Sequence, residues 1–324
     1  MAGSRLVGSA AAPARMQAVA TTGVLEAARL SLGRVGAYLP APAMTPMSVA
    51  EQRDAAQRLE RAGYRCAWAN EPIGGKDVFA QVAVLLAATE RITFGTGIAN
   101  IWARLPQIAH GASAWLAQAY SHRFVLGLGV GYPQQAEVAD REFGRPLATM
   151  REYLERMDSP VRPPAAETPY PRLIGANGPM MVALADELAD GVIPAMMPSA
   201  FTKRARLQLA PDKLIVMSLS VVADADTDQA RAAARDRLVA FLARSPARAA
   251  ILAELGFTAE EVADLSDRLV DALIGNGSPD TIAALVREHL EAGADHVALI
   301  PPGTSVEADL EQLERIAPAL ADLA

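Results

Sequence analysis

Cysteine is almost absent: Cys66 is the only one in 324 residues, so no disulfide can form within the chain and a reducing, cytoplasmic compartment is expected. Four histidines beside one cysteine cannot build the usual Cys/His spacings of a structural zinc site, and none of His110, His122, His289 and His296 is expected to bind metal. Long hydrophobic runs are missing too. The longest, Val82 to Ala88, spans seven residues, whereas roughly eighteen are needed for a helix that crosses a bilayer. Positive charge is in deficit, 30 Lys and Arg against 37 Asp and Glu, for a net charge of −7. That balance gives no footprint for a phosphate backbone or an anionic lipid surface, so neither nucleic acid nor membrane is an expected partner.

What remains is an ordinary globular composition, 51% apolar and 21% charged, in a chain long enough to bury most of its unfolded surface. Residues 1–30 read as a loosely ordered extension, the first 22 of them rich in Ala, Gly, Ser and Thr, and residues 31–324 as one domain. From Arg34 onward short β-type runs alternate with helix-period segments. The runs are Val35–Leu39, Tyr64–Asn70, Ile92–Asn100, Phe124–Gly131, Arg172–Ala176, Val192–Ala195, Leu214–Ala223 and His296–Ile300. A Thr45-Pro46-Met47-Ser48 turn opens the first helix after them, and Gly63 is its natural stop. Four prolines between Ser159 and Tyr170 mark a surface connection. Asp226 to Ala292 reads as a long helical region, broken near Ser245-Pro246, Gly256 and Gly275. Eight runs with helices between them fit a closed (β/α)8 TIM barrel, with a doubly wound open sheet as the alternative. The nearest match to a dinucleotide fingerprint, Gly127-Leu128-Gly129-Val130-Gly131, lies inside a strand and opens no helix, which favours the barrel.

In such a barrel chemistry belongs at the C-terminal ends of the strands. There stand Asn70-Glu71, Gly97-Ile98-Ala99-Asn100, Val130-Gly131-Tyr132 and Ala176-Asn177-Gly178-Pro179-Met180. Gly178-Pro179 reads either as an ordinary helix start or as bare N-terminal amides facing a phosphate. The glycines Gly95, Gly97, Gly127, Gly129 and Gly131 serve either tight packing or a flat ligand laid against backbone. Glu71 is a candidate general acid or base, or else a capping or ion-pair residue; Tyr132 is a candidate hydrogen-bond donor to substrate, or else packing.

Gly95-Thr96-Gly97-Ile98-Ala99-Asn100-Ile101-Trp102-Ala103-Arg104, Arg123 to Val130, Arg145-Pro146-Leu147, Ser266 to Ala272 and Ala292 to Val297 stand in an order and spacing that resembles the luciferase-like monooxygenase superfamily. Within it the chain is similar to the actinobacterial branch that uses the deazaflavin coenzyme F420. The resemblance covers about residues 32–303. It implies a non-prolyl cis peptide at Gly97–Ile98 supporting the middle ring of the cofactor, with Ala99 and Asn100 beside it. It further implies that Val130 and Gly131 flank the ring, that Ala176, Asn177, Gly178, Pro179 and Met180 hold the cofactor phosphate, that Asn70 belongs with these cofactor-binding residues, and that Asn70 and Glu71 occupy the position at which relatives face the substrate. Sugar-phosphate dehydrogenases of the superfamily carry a histidine and a glutamate where this chain has Glu71 and Tyr132, which speaks against that chemistry here. The expected activity is hydride transfer between coenzyme F420 and a small organic substrate, with Glu71 or Tyr132 supplying the proton and a homodimer as the working unit. The alternatives are an FMN-dependent two-component monooxygenase on the same fold, and a barrel that has lost redox activity.

Overall fold

The computed structural model describes residues 23–41, 47–160, 167–243 and 247–323. Among these described residues ten strands form: β1 (Val35–Tyr38), β2 (Cys66–Ala69), β3 (Thr93–Thr96), β4 (Ala99–Asn100), β5 (Phe124–Gly129), β6 (Arg172–Ile174), β7 (Gly191–Val192), β8 (Leu214–Ala223), β9 (Ile274–Gly277) and β10 (His296–Ile300). All pair in parallel. The order β10-β1-β2-β3-β5-β6-β7-β8 closes into a ring through β10–β8, so the fold is the expected (β/α)8 barrel.

Two strands lie off the ring. The run Ile92–Asn100 is not one strand but two, because the chain leaves β2 after Thr96 and resumes as β4 beside β5, with a bulge at Gly97–Ile98 between them. β9, inside the stretch expected to be helical, pairs with the end of β8. Four residues with two glycines, Ile274-Gly275-Asn276-Gly277, are too few to display a strand's period of two. The rest of that stretch divides into the helices Thr227–Ala243, Ala247–Glu254, Ala259–Ala263 and Asp267–Leu273; the expected break at Ser245-Pro246 lies outside the described residues. Helix Val49–Arg61 starts at Ser48, which with Glu51 forms a reciprocal cap, and stops before Gly63, whose φ of +96° ends it. Thr45 and Pro46, and residues 161–166 of the proline-rich connection, are outside the described residues.

Residues 23–32 form a helix, whereas the sequence reads as a loosely ordered extension as far as residue 30. Leu25, Ala28 and Leu32 recur at helical spacing and pack with Cys66, Val125, Leu173, Leu214 and Val216 in the barrel interior. The helix lies across the N-terminal mouth. Arg29 pairs with Asp295 before β10 (2.8 Å) and donates to the Asp212 carbonyl before β8, while the Ser31 carbonyl accepts from Thr93 at the start of β3. Residues 1–22 of the expected extension are outside the described residues. A second apolar layer, between strands and surrounding helices, contains Leu59, Val82, Leu85, Phe94, Leu126, Leu154 and Val286.

The interior is stitched by two polar pairs. The Trp68 indole donates to His296 Nε2 (3.0 Å), so His296 must carry its proton on Nδ1, which donates to the Gly33 carbonyl (2.8 Å). Higher up, the Tyr38 hydroxyl bonds Ser218 Oγ (2.8 Å). Burial pushes His296 down to about 4 and Tyr38 up to about 12, so both are neutral at physiological pH. Among the described residues no helix is long and apolar enough to cross a membrane.

Candidate active site

At the C-terminal end of the barrel a cavity of about 460 Å³ opens between β1, β2, β5, β7, β8 and β10. Its wall includes Tyr38, Asn70, Tyr132, Met196, Ser220, Arg237, Phe241 and Ile300. Asn70 and Tyr132, both marked by their positions at strand ends, are thus brought together. Tyr132 is half-buried, its backbone amide donates to Gln135 Oε1 (3.0 Å), and its hydroxyl has no partner among the described residues. Arg237 spans the opposite wall, donating from Nε to Ser220 Oγ (2.9 Å) and from Nη1 to the Pro302 carbonyl (2.6 Å).

Beside the cavity is the bulge. The Gly97–Ile98 peptide is cis. The Gly97 amide donates to the Ala69 carbonyl, and the Ile98 carbonyl accepts from the Glu71 amide. Ala99 and Asn100 are fully buried. Asn100 Oδ1 accepts from the Trp102 amide (3.0 Å), yet its buried Nδ2 finds no acceptor among the described residues. Gly131 lies against that amide: with φ at +59°, a β-carbon there would come within 2.9 Å of Asn100 Nδ2 and collide with Gln135. The Val130 carbonyl accepts from the Trp102 indole (2.7 Å).

The other glycines are resolved in favour of packing. A β-carbon on Gly95 would lie 2.3 Å from the Trp68 ring, and one on Gly127 would lie 2.2 Å from the Thr96 carbonyl oxygen. These residues make room for neighbours in the barrel, not for a ligand.

Glu71 does not face the cavity as a free acid. Its Oε1 accepts from the Val78 amide (3.1 Å), its Oε2 from the Asn100 amide (2.8 Å), and Arg104 grips both oxygens. Arg104 extends to Asp77 (2.9 Å) and lies over the Phe79 ring (4.7 Å). Although burial works to raise Asp77, the Ala80 amide and the Arg104 guanidinium hold its carboxyl below the usual range. Through its own amide and its carboxylate, Glu71 therefore brackets the bulge from Ile98 to Asn100.

At the end of β6, helix Pro179–Leu188 begins at Gly178 with no side-chain cap. Ala176 is buried and Met180 exposed. Asn177 Oδ1 accepts from the Ala195 amide (2.9 Å), tying this helix start to the cavity wall. Tyr38, Ser218, Ser220, Arg237 and Phe241 were not among the residues expected from sequence. Tyr38 closes β1 and Ser220 lies within β8, both recognisable strands, whereas nothing in a helical pattern singles out Arg237 or Phe241.

Comparisons with known proteins bear on this geometry. The chain is 25% identical over 292 residues to a 5,10-methylenetetrahydromethanopterin reductase of Archaeoglobus fulgidus, an alignment covering 75% of this chain and 87% of that protein. Its fold superposes with a TM-score of 0.70 on an F420-dependent secondary alcohol dehydrogenase in complex with an F420-acetone adduct, at 18% identity, covering 90% of this chain and 99% of that one. It superposes with a TM-score of 0.67 on the oxygenating constituent of the Pseudomonas putida 3,6-diketocamphane monooxygenase in complex with FMN, at 16% identity, covering 90% and 98%. The family described as luciferase-like monooxygenase matches residues 26–296, nearly the whole barrel. On that match, and on the closed parallel barrel with its cavity at the C-terminal strand ends, the chain belongs to the luciferase-like monooxygenase family.

Proposed function

We propose that this protein is an oxidoreductase that binds coenzyme F420 at the C-terminal end of the barrel and transfers a hydride between it and a small organic substrate. The observation that carries the reading is the cavity at the C-terminal strand ends, with the unpartnered, buried Asn100 amide in the bulge beside it. The residues fit a flat, hydrogen-bonding, phosphorylated group. Gly97, Ile98, Ala99 and Asn100 would lie beneath the ring; Val130 and Gly131 would flank it; and Ala176, Asn177, Gly178, Pro179 and Met180 would meet its phosphate with an uncapped helix start. When bound, the deazaflavin supplies two-electron chemistry; the protein supplies orientation and dryness. The unpartnered Tyr132 hydroxyl is assigned to the substrate oxygen, to which it donates or from which it takes a proton, and Asn70 orients the substrate beside it. Glu71, saturated by its donors, holds the bulge in place and leaves the proton to Tyr132.

The names of the reductase and alcohol dehydrogenase to which the chain is similar support F420; the FMN complex supports a second reading, a flavin-dependent monooxygenase. Titration with coenzyme F420 and, in parallel, with FMN separates them. Tight F420 binding with weak FMN binding is expected, the reverse moves the protein to oxygen-using chemistry, and binding of neither overturns both. We further propose a homodimer, supported by helix Pro106–Ala119. This helix has no charged residue, and it presents Ile108 and Trp115 at 60% and 70% exposure.

A further inference from the structure

The cavity at the C-terminal strand ends has a cation in its wall and no carboxylate among its lining residues. Just behind the wall lies another. Arg248, on helix Ala247–Glu254, is only 3% exposed. Its Nη1 donates to the Ala195 carbonyl (3.0 Å) and touches Met197 Sδ (3.6 Å), and its guanidinium stacks 3.7 Å from the Phe241 ring centroid. Its buried Nε has no acceptor. Ala195 and Phe241 both line the cavity, as does Tyr132, whose hydroxyl is near enough to act on Arg248 electrostatically. No aspartate or glutamate forms an ion pair with Arg248 among the described residues, and the segments 1–22, 42–46, 161–166 and 244–246 contain neither residue type.

A buried guanidinium without an anion is costly, and hydrophobic residues of similar volume are commonly as stable or more so. Burial lowers Arg248 to about 10, which leaves it cationic at neutral pH. Its bond to Ala195 and its ring contact are weak compensation for a full charge. An oxyanion held in the cavity would supply the missing counter-charge.

We propose that the cavity selects substrates bearing an oxyanion, a carboxylate or a phosphate, and that Arg248 supplies the recognising charge. This rests on the reading of the cavity as the substrate site. The cofactor phosphate is the other conceivable source of an oxyanion. Under the proposed function that phosphate meets the amides of Gly178 and Met180 at the helix start, whereas Arg248 borders Phe241, Ala195 and Tyr132 of the cavity wall; Asn177, bonded to the Ala195 amide, brings the two places close, so the test separates them.

The test uses calorimetry on the cofactor-free and cofactor-loaded protein with a series of simple acids, acetate to benzoate, and phenyl phosphate, each against a neutral analogue such as benzamide. The acids are expected to bind roughly ten- to a hundredfold more tightly than the neutral analogues, the yield of one charge-assisted hydrogen bond. Arg248→Met should erase that preference while leaving affinity for the neutral probe unchanged, and Arg248→Lys should keep part of it. The relative affinities of benzoate and phenyl phosphate then identify the head group. Thermal melts of both variants report folding: a purely structural Arg248 would lower the melting temperature on change to methionine without altering selectivity. Equal binding of acid and amide, or a preference that survives Arg248→Met, overturns the proposal. So does a loss in Arg248→Met of affinity for FMN but not riboflavin, because the oxyanion would then be the cofactor's. Acid selectivity in a protein that binds neither F420 nor FMN would leave the oxyanion site standing and remove the proposed hydride transfer.

Discussion

Glu71 shows how partners decide what an acidic side chain can do. Its carboxylate and Arg104 are both nearly buried, 3% and 8% exposed as side chains, and each is the other's main counter-charge. Glu71→Gln leaves Arg104 with only the exposed Asp77, so unfolding by denaturant should show a loss of about 3 kcal/mol, the usual cost of breaking a buried pair. Cofactor affinity should fall with it as the bulge loosens; an unchanged affinity would remove Glu71 from the support of the site. Tyr132→Phe is the complementary change. Removal of this proposed proton donor should lower kcat about a hundredfold while cofactor affinity stays constant, and a mutant with full turnover would send the search for the donor elsewhere. His289 and His296 are held by burial at about 4, against an ordinary 6.5. The unfolded chain therefore takes up protons first as pH falls. Stability is complete above 6.5 and declines towards pH 4, by up to about 1.4 kcal/mol per pH unit for each histidine. Denaturation curves across that window should become flatter in His296→Asn, and an unaltered slope would assign the pH dependence to other groups.

Among the elements, the helix 23–32 forms the floor under the barrel interior. Leu32→Ala removes a fully buried side chain from that floor and should cost about 3 kcal/mol in equilibrium unfolding. A negligible change would mean that the mouth of the barrel collapses around the gap. Most of the strands were legible in the sequence because apolar runs such as Leu214–Ala223 are long and bounded by turns. The floor helix was not, since its Ala-rich pattern continues from a low-complexity stretch, and its leucines acquire meaning only once a barrel mouth exists to receive them. β9 was illegible for a related reason: its strand character comes from the exposed edge at the end of β8. The site was half legible. Asn70, the bulge from Gly97 to Asn100 and Tyr132 announce themselves as residues that close strands, whereas Arg237 and Arg248 lie in helical segments where arginine ordinarily faces water. Their inward placement is decided by the packing of these helices over the cavity.

For the molecule as a whole, the uncharged face of helix Pro106–Ala119 predicts self-association. Sedimentation should show a dimer that Trp115→Glu converts to monomer with little effect on melting temperature; a monomer in the parent protein would leave that face without its proposed occupant. The barrel also brings together segments far apart along the chain. Arg29 is joined to Asp295, and β1 pairs in register with β10. During synthesis, then, β1 emerges with one edge bare and keeps it bare until β10 has been made. Closure is necessarily a late folding event, slowed by the length of chain between the paired strands. Until then the nascent protein carries an open β-edge and an uncovered interior, the form in which it is most exposed to chaperones, proteases and its own neighbours on the same message.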